Sequence, residues 1–318
     1  MKLSLAYFGA PYFSGRLLEK IITDKNLPIE VALVVSQPDK PVGKKRILTP
    51  TPVSQVAKKY KVDIIDNIAR YKQYVTQTDL ALVYAYGQII PADLLSLPKY
   101  GFWNLHPSLL PLYRGPSPIA YPLILGDAKT GVTLIQMDGL VDHGPIINQK
   151  SLPILPCDKR PDLEVKLTDM ACEVLKTATE KLLASRFIKL HKQDHKKATY
   201  TRMLKKEDGF IPLTVLKKAL NGLSINHDEL PSIVKEYSDE YPHSIESCPP
   251  ADKLIFNYFR GLSPWPGIWT LIQIKNVPKR LKITAIKFVD NRLKIEKVQL
   301  EGKKEVDLAT FNQAYKVF

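Results

Sequence analysis

The first half of the chain alternates short apolar runs with stretches of helical spacing, and this most restricts what it can fold into. The apolar runs are Leu3 to Phe8, Val31 to Val35, Val62 to Ile65, Leu80 to Tyr84, Phe102 to Leu105 and Val132 to Gln136. Helical patterns lie between them at Phe13 to Thr23, Pro52 to Tyr60 and Ser117 to Leu125. Strands joined by crossovers of helix length run parallel, because only such a crossover returns the chain to the end where the previous strand began. The expected fold is α/β, with a doubly wound, mostly parallel sheet. Pro161 to Ser185 keeps Leu163, Leu167, Ala171, Val174, Leu175, Ala178 and Leu182 on one face, which predicts a long helix closing this domain.

A chain of 318 residues suggests two domains, at roughly 100 to 200 residues each. The first is expected over 1–188. Residues 189–206 carry Lys189, Lys192, Lys196, Lys197, Arg202, Lys205 and Lys206 against Asp194, and read as a basic linker. A second domain follows over 207–318. Near its end, Leu281 to Phe288 and Leu293 to Val298 alternate polar with apolar residues around Asp290-Asn291, a hairpin signature. That pattern predicts a small C-terminal OB-like β-barrel. Within it, residues 226–252 hold Asp228, Glu229, Glu236, Asp239, Glu240 and Glu246 against Lys235, and read as an acidic surface insertion.

The 46 Lys+Arg exceed the 32 Asp+Glu and leave a net charge of +14, which favours a polyanionic partner such as nucleic acid. Cys157, Cys172 and Cys248 are odd in number and form no CxxC pair, so a reducing, cytoplasmic setting is expected. No apolar stretch approaches the roughly 18 residues that a membrane span needs. GxxxxGK[ST], HExxH and GxSxG are absent, and the first turn, Gly9 to Gly15, is no GxGxxG cradle because Pro11 removes an amide. These absences argue against an NTPase, a zincin, a serine hydrolase or a dinucleotide enzyme, and no metal is expected.

One constellation carries chemistry. In Asn104-Leu105-His106 the two-residue period puts Asn104 and His106 on one side of a strand, near its carboxyl end, where open α/β sheets bind ligands. A rigid apolar loop follows, Pro107 to Pro116, and Asp142 stands later on a glycine-flanked loop, Asp138 to Gly144. An amide N–H, an imidazole and a carboxylate in one pocket suit acyl transfer to an amine. A histidine at a strand end serves equally well as a structural group, and periodicity does not decide between the two.

An ordered series of motifs runs from end to end of the chain. It includes Tyr7-Phe8-Gly9-Ala10-Pro11-Tyr12-Phe13, Gln37-Pro38-Asp39-Lys40-Pro41-Val42-Gly43-Lys44-Lys45, Ala85-Tyr86-Gly87-Gln88-Ile89-Ile90-Pro91 and Ser108-Leu109-Leu110-Pro111. It continues through Gly131-Val132-Thr133, Met137-Asp138, Ala198-Thr199-Tyr200, Lys206-Glu207-Asp208-Gly209, Pro264-Trp265-Pro266-Gly267 and Glu301-Gly302-Lys303-Lys304. This series resembles the methionyl-tRNA formyltransferases, and the resemblance implies a Rossmann-like formyltransferase domain in which 10-formyltetrahydrofolate donates its formyl group to the α-amine of methionine on initiator methionyl-tRNA. It implies Asn104 at the oxyanion, His106 in proton transfer and charge stabilisation, and Asp142 orienting His106 and helping protonate the leaving nitrogen. Folate contacts are implied for Tyr86, Gly87, Gln88, Ile89, Ile90, Ser108, Leu109, Leu110, Pro111, Val141 and Gly144. Contacts to tRNA are implied for Lys40, Lys44, Lys45, Arg46 and Arg114. A monomer is expected, with no membrane association.

Three positions depart from the family pattern: Lys44 stands where arginine is usual, Leu112 where a base is usual, and His143 where a small residue is usual. Trp265 and Trp269, on either side of Pro266-Gly267, are expected to anchor packing rather than stack on bases. The acidic insertion is expected to face away from tRNA. The alternative reading is a formyltransferase acting on an amino-sugar nucleotide, against which the basic loop at Lys40 to Arg46 and the net charge weigh.

Overall fold

The computed structural model describes residues 2–43, 46–242, 249–290 and 292–318. In chain order the elements are β1 (Leu3–Gly9), α1 (Tyr12–Thr23), β2 (Ile29–Val35), β3 (Lys40–Val42), β4 (Ile47–Thr49), α2 (Pro52–Lys59), β5 (Asp63–Ile65), β6 (Leu80–Tyr84) and β7 (Phe102–His106). Then follow α3 (Ala120–Leu125), β8 (Lys129–Gln136), β9 (Ile146–Pro153), α4 (Arg160–Ser185), α5 (Leu213–Leu220), α6 (Ser232–Glu240) and α7 (Ala251–Leu262). The chain ends with β10 (Ile268–Ile274), β11 (Val277–Val289), β12 (Arg292–Leu300), β13 (Glu305–Asp307) and α8 (Leu308–Tyr315). Two compact units result: Met1–Pro118 with Lys129–Pro153 and Glu164–Thr201, and Ile119–Ala128 with Ile154–Leu163 and Arg202–Phe318.

The first unit holds a seven-stranded sheet in the order β5-β2-β1-β6-β7-β8-β9. Pairing is parallel from β5 to β7 and antiparallel from β7 to β9. The mostly parallel sheet read from the alternation is therefore present. All five residues of β6 are buried, as expected of a strand covered on both faces. Phe8, Tyr71, Tyr86 and Phe102 pack edge-on or tilted at centroid distances of 5.1 to 5.7 Å, within one apolar cluster that also takes in Val35 and Leu94. Burying each such ring contributes roughly 1.5–3 kcal/mol. Helix α2 starts where Thr51 Oγ1 accepts the Ser54 N–H at 3.0 Å, with Pro52 at the first helical position, an N-terminal cap of the usual kind. Helix α4 buries the predicted face, and the Tyr84 and Thr168 hydroxyls meet at 3.2 Å.

Strand β9 went unread in the sequence because Ile146 to Pro153 lies at the sheet edge, with polar residues and no period of two. The β3–β4 hairpin was also unread, each strand being three residues long.

The chain does not divide at one point. Residues 189–201, read as the start of a linker, belong to the first unit, where the backbones of Ile146 and His191 exchange hydrogen bonds of 2.7 and 2.9 Å. Conversely, residues 119–128 and 154–163 belong to the second unit. There Arg260 donates to the Leu155 and Asp158 carbonyls at 3.0 and 3.2 Å and to Asn257 Oδ1 at 2.7 Å.

The second unit contains the expected small antiparallel β domain, a sheet ordered β10-β11-β12-β13 against which α5, α7 and α8 pack. Closure into a barrel is not found among the described residues, where β10 and β13 form the two edges of the sheet. The acidic segment, described here over 226–242 and 249–252, is not a surface loop. It carries α6, which buries Ile233, Val234 and Tyr237. Its acids sit opposite cations: Glu229 meets Lys218 at 2.6 Å and Asp228 meets Lys235 at 2.8 Å. The count of acids had masked the apolar spacing that forms the helix.

Candidate active site

Strand β7 ends with Asn104 and His106 on one side, in register with Ile135 and Thr133 of β8. Asn104 Nδ2 donates to Asp142 Oδ1 at 3.0 Å, and Asp142 Oδ2 lies 3.5 Å from His106 Nδ1. The structure thus brings together three residues that the sequence separates by up to 38 positions. His106 is 4% exposed, and its Nε2–H donates to the Tyr113 carbonyl at 2.9 Å. A carbonyl only accepts, so this bond places a hydrogen on Nε2 and turns Nδ1 toward Asp142. Tyr113, rather than Asp142, sets the tautomer.

Asp142 adopts φ +48°, a left-handed conformation that costs a non-glycine residue roughly 1–2 kcal/mol. The Gly115 N–H donates to Asp142 Oδ2 at 2.8 Å and helps hold that conformation. Gly115 itself has φ +100°, and a Cβ there would lie 2.7 Å from the Thr201 carbonyl oxygen. At the other end of the Asp142 loop, a Cβ on Gly144 would lie 1.8 Å from the Gln136 carbonyl oxygen, so only glycine lets the loop close on β8.

The loop after β7 is pinned from the neighbouring strands. Thr133 Oγ1 donates to the Ser108 carbonyl at 2.7 Å and accepts the Leu110 N–H at 3.1 Å, while Gln149 Nε2 donates to the Leu110 carbonyl at 2.9 Å. Ser108 is fully buried and its hydroxyl donates to the Leu112 carbonyl at 2.7 Å, so it serves the loop's own shape. Leu110 is likewise buried, whereas Leu109 is half-buried. Thr133 lies within the Gly131-Val132-Thr133 motif, whereas Gln149 carries no local sequence signal.

Residues Tyr86 to Ile90 follow β6, which pairs in parallel with β7 through Val83 and Asn104. They therefore leave the sheet at the carboxyl end of the parallel strands, near Asn104. Tyr86 is buried and its hydroxyl donates to Gln88 Oε1 at 3.1 Å; burial, then the Asp66 charge, pushes the phenol up to about 12. Gly87, Gln88 and Ile89 are exposed, Ile89 at 92%. Val141 is exposed and Gly144 buried.

Arg114, which the resemblance places against tRNA, is 1% exposed. Its Nη2 meets Gln193 Oε1 at 2.7 Å and His195 Nδ1 at 2.9 Å, and its Nη1 donates to the Tyr200 hydroxyl at 3.2 Å. A guanidinium held this way braces the loop. His143 Nδ1 meets Asp138 Oδ2 at 2.7 Å and its ring stacks on His195 at 4.0 Å. Loss of hydration, then the His143 and Arg114 charges, holds His195 below the usual histidine value. This suits an Nδ1 that accepts from Arg114.

Lys40 and Arg46 are exposed on the β3–β4 hairpin, with Lys40 Nζ donating to Gln37 Oε1 at 2.6 Å. Lys44 and Lys45 lie outside the described residues. No cluster of three or more metal-ligating side chains occurs among the described residues, nor any helix long and apolar enough to cross a membrane.

Residues 1–179 match the family model described as Formyl transferase. Over 317 aligned residues the chain is 32% identical to a methionyl-tRNA formyltransferase of Thermotoga sp. (strain RQ2), covering 95% of this chain and 100% of that one. It is 31% identical over 336 residues to the methionyl-tRNA formyltransferase of Geobacillus sp. (strain WCH70), covering 97% and 93% respectively. The fold is similar to a 4-N formyltransferase from Francisella tularensis, with TM-score 0.59 and 16% identity over 90% of this chain and 98% of that one. The matched model spans the whole Asn104, His106 and Asp142 constellation, and the relatives continue through the second unit. The chain therefore belongs to the formyl transferase family and, along its length, to the methionyl-tRNA formyltransferases within it.

Proposed function

We propose that this protein moves the formyl group of 10-formyltetrahydrofolate to the α-amino group of methionine on initiator methionyl-tRNA. The observation that carries this reading is the closed contact set of Asn104, His106 and Asp142 at the end of β7. The folate supplies an activated formyl carbon bonded to N10. In the reaction the amine nitrogen bonds to that carbon, the carbon–N10 bond breaks, the amine loses a proton and N10 gains one.

Each side chain has a part in that balance. Asn104 gives one amide hydrogen to Asp142 and directs its other to the formyl oxygen, where negative charge develops. His106 keeps its Nε2 hydrogen on Tyr113, so Nδ1 is the nitrogen that takes up and returns a proton. Asp142 stabilises the protonated imidazole from 3.5 Å and passes the proton toward the leaving nitrogen. The exposed Gln88–Ile89 turn and the Val141 to Gly144 loop, with Leu109 to Pro111, would receive the pterin.

For tRNA, Lys40 and Arg46 on the hairpin and the basic strands β11 and β12 supply charge. Residues 275–304 include Lys275, Lys279, Arg280, Lys282, Lys294 and Lys303, and along β11 and β12 Arg280, Lys282 and Lys294 alternate with the buried Leu281, Ile283 and Leu293. Such a surface binds phosphates with a strong dependence on salt. We place the enzyme in the cytoplasm, as a monomer.

The test is formyl incorporation from 10-formyltetrahydrofolate into methionyl initiator tRNA and, separately, into a 4-amino-sugar nucleotide. Formylmethionine supports the reading; formyl on the sugar alone, or on neither, overturns it.

A further inference from the structure

The loop that holds Asp142 is tied down by a residue outside the segment matched by the formyl transferase model, which ends at 179. Gln193 is 6% exposed and engages both amide hydrogens and its oxygen around the site. Its Nε2 donates to the Asp142 carbonyl at 2.9 Å and to the Gly144 carbonyl at 2.7 Å. Its Oε1 accepts from Arg114 Nη2 at 2.7 Å. One amide therefore joins both ends of the Asp142 turn to the loop that follows β7. Arg114 is in turn fixed by strand-like bonds to the same segment: its N–H donates to the Thr199 carbonyl and its carbonyl accepts from Thr201, both at 2.8 Å.

Two features show that this clamp bears on Asp142 rather than on packing in general. Asp142 holds a left-handed backbone, which a non-glycine residue keeps only when its surroundings impose it. Its side chain is already committed to Asn104, Gly115 and His106, so its carbonyl is the remaining handle, and Gln193 takes it. Both amide hydrogens are needed, one for each carbonyl. A side chain of the same shape without those hydrogens would face two carbonyl oxygens with an acceptor.

We propose that Gln193, braced by Arg114, is a positioning residue that holds the Asp142 turn in the conformation the formyl transfer requires, and that residues 191–201 are a strap completing the site. The inference rests on the reading of Asn104, His106 and Asp142 given above, and its test separates the two. Gln193→Glu keeps the volume and the Arg114 contact but loses both donors. Gln193→Ala removes everything. Wild type and both variants are compared in kcat and KM for methionyl initiator tRNA, in thermal melting, and in amide hydrogen exchange across residues 138–144.

The clamp predicts that Gln193→Glu loses at least tenfold in kcat with KM for tRNA within about twofold. It also predicts faster exchange at 138–144 with β7 still protected, and melting within a few degrees of wild type. A purely structural role predicts instead that Gln193→Glu behaves as wild type while Gln193→Ala melts early. Wild-type kcat and unchanged loop exchange in Gln193→Glu would overturn the proposal. Absence of formyl transfer in the wild type would overturn the functional reading instead, and loop exchange would still decide whether Gln193 holds the turn.

Discussion

Replacing Asn104 with alanine removes two interactions at once. The donor aimed at the developing oxyanion is lost, and loss of a single such donor costs about 2.7–4 kcal/mol in the transition state, or roughly a hundred- to a thousandfold in kcat. The 3.0 Å bond from Nδ2 to Asp142 Oδ1 is lost as well, leaving Asp142 with Gly115 and the more distant His106. A drop of at least about a hundredfold in kcat is therefore expected, with the fold intact because Asn104 is only half-buried. Asn104→Asp is the sharper variant. It keeps the shape but sets a carboxylate oxygen about 3 Å from that of Asp142. Two unit charges that close repel by about 5 kcal/mol at an effective dielectric constant of 20, a ceiling that movement or protonation lowers. It should fall below Asn104→Ala. The assay is steady-state formylation of methionyl initiator tRNA with both substrates saturating, checked against thermal melting. A kcat for Asn104→Ala within threefold of wild type would remove Asn104 from the oxyanion and refute the mechanism.

Three further outcomes are expected. Gly144→Ala should cost more than tenfold in kcat, because its Cβ would lie 1.8 Å from a backbone oxygen that cannot swing away, and a crystal structure should show the 138–144 loop displaced. Changing Lys40, Lys44 and Lys45 together to alanine should raise KM for tRNA and flatten its salt dependence while leaving folate affinity unchanged; an effect on folate alone would place that hairpin wrongly. Arg202→Ala breaks a paired contact to Asp208, at 2.8 and 2.9 Å, and should cost about 2 kcal/mol, less than a fully buried pair because Arg202 is 29% exposed. Burial alone would raise the Asp208 carboxyl, but the Arg202 and Lys205 N–H donors bring it below its ordinary value. Its contribution is then present above the unfolded carboxyl value near 3.9 and fades as pH falls through the lower folded value. The melting difference between wild type and Arg202→Ala should narrow below about pH 4; a gap that widened on acidification would contradict the assignment.

The parallel strands were legible because buried strands concentrate apolar residues locally, as in Leu80 to Tyr84. Asn104 and His106 were legible because two residues apart on a strand is a shared face whatever surrounds it. Edge strand β9 and helix α6 were not. In the first, half the residues face away from any core; in the second, a high count of acids concealed Ile233, Val234 and Tyr237. The burial of Arg114 was not legible for a related reason. A cation in a loop looks solvated from sequence, and only contacts with residues some 80 positions later show it to be buried.

By itself, the sequence determined the alternating strand and helix pattern, the paired side chains at the end of β7 and the basic character of the strands near the carboxyl terminus. These depend on local spacing and composition, which the chain carries wherever it folds. Only the tertiary structure decided that Tyr113 sets the His106 tautomer, that Gly115 and Gln193 hold Asp142, and that residues 189–201 belong to the first unit. The first is a bond closed by the fold of one loop across seven residues, and the others rest on hydrogen bonds between segments 27 or more positions apart. No local preference encodes such a bond, because its donors and acceptors meet only after the sheet has assembled.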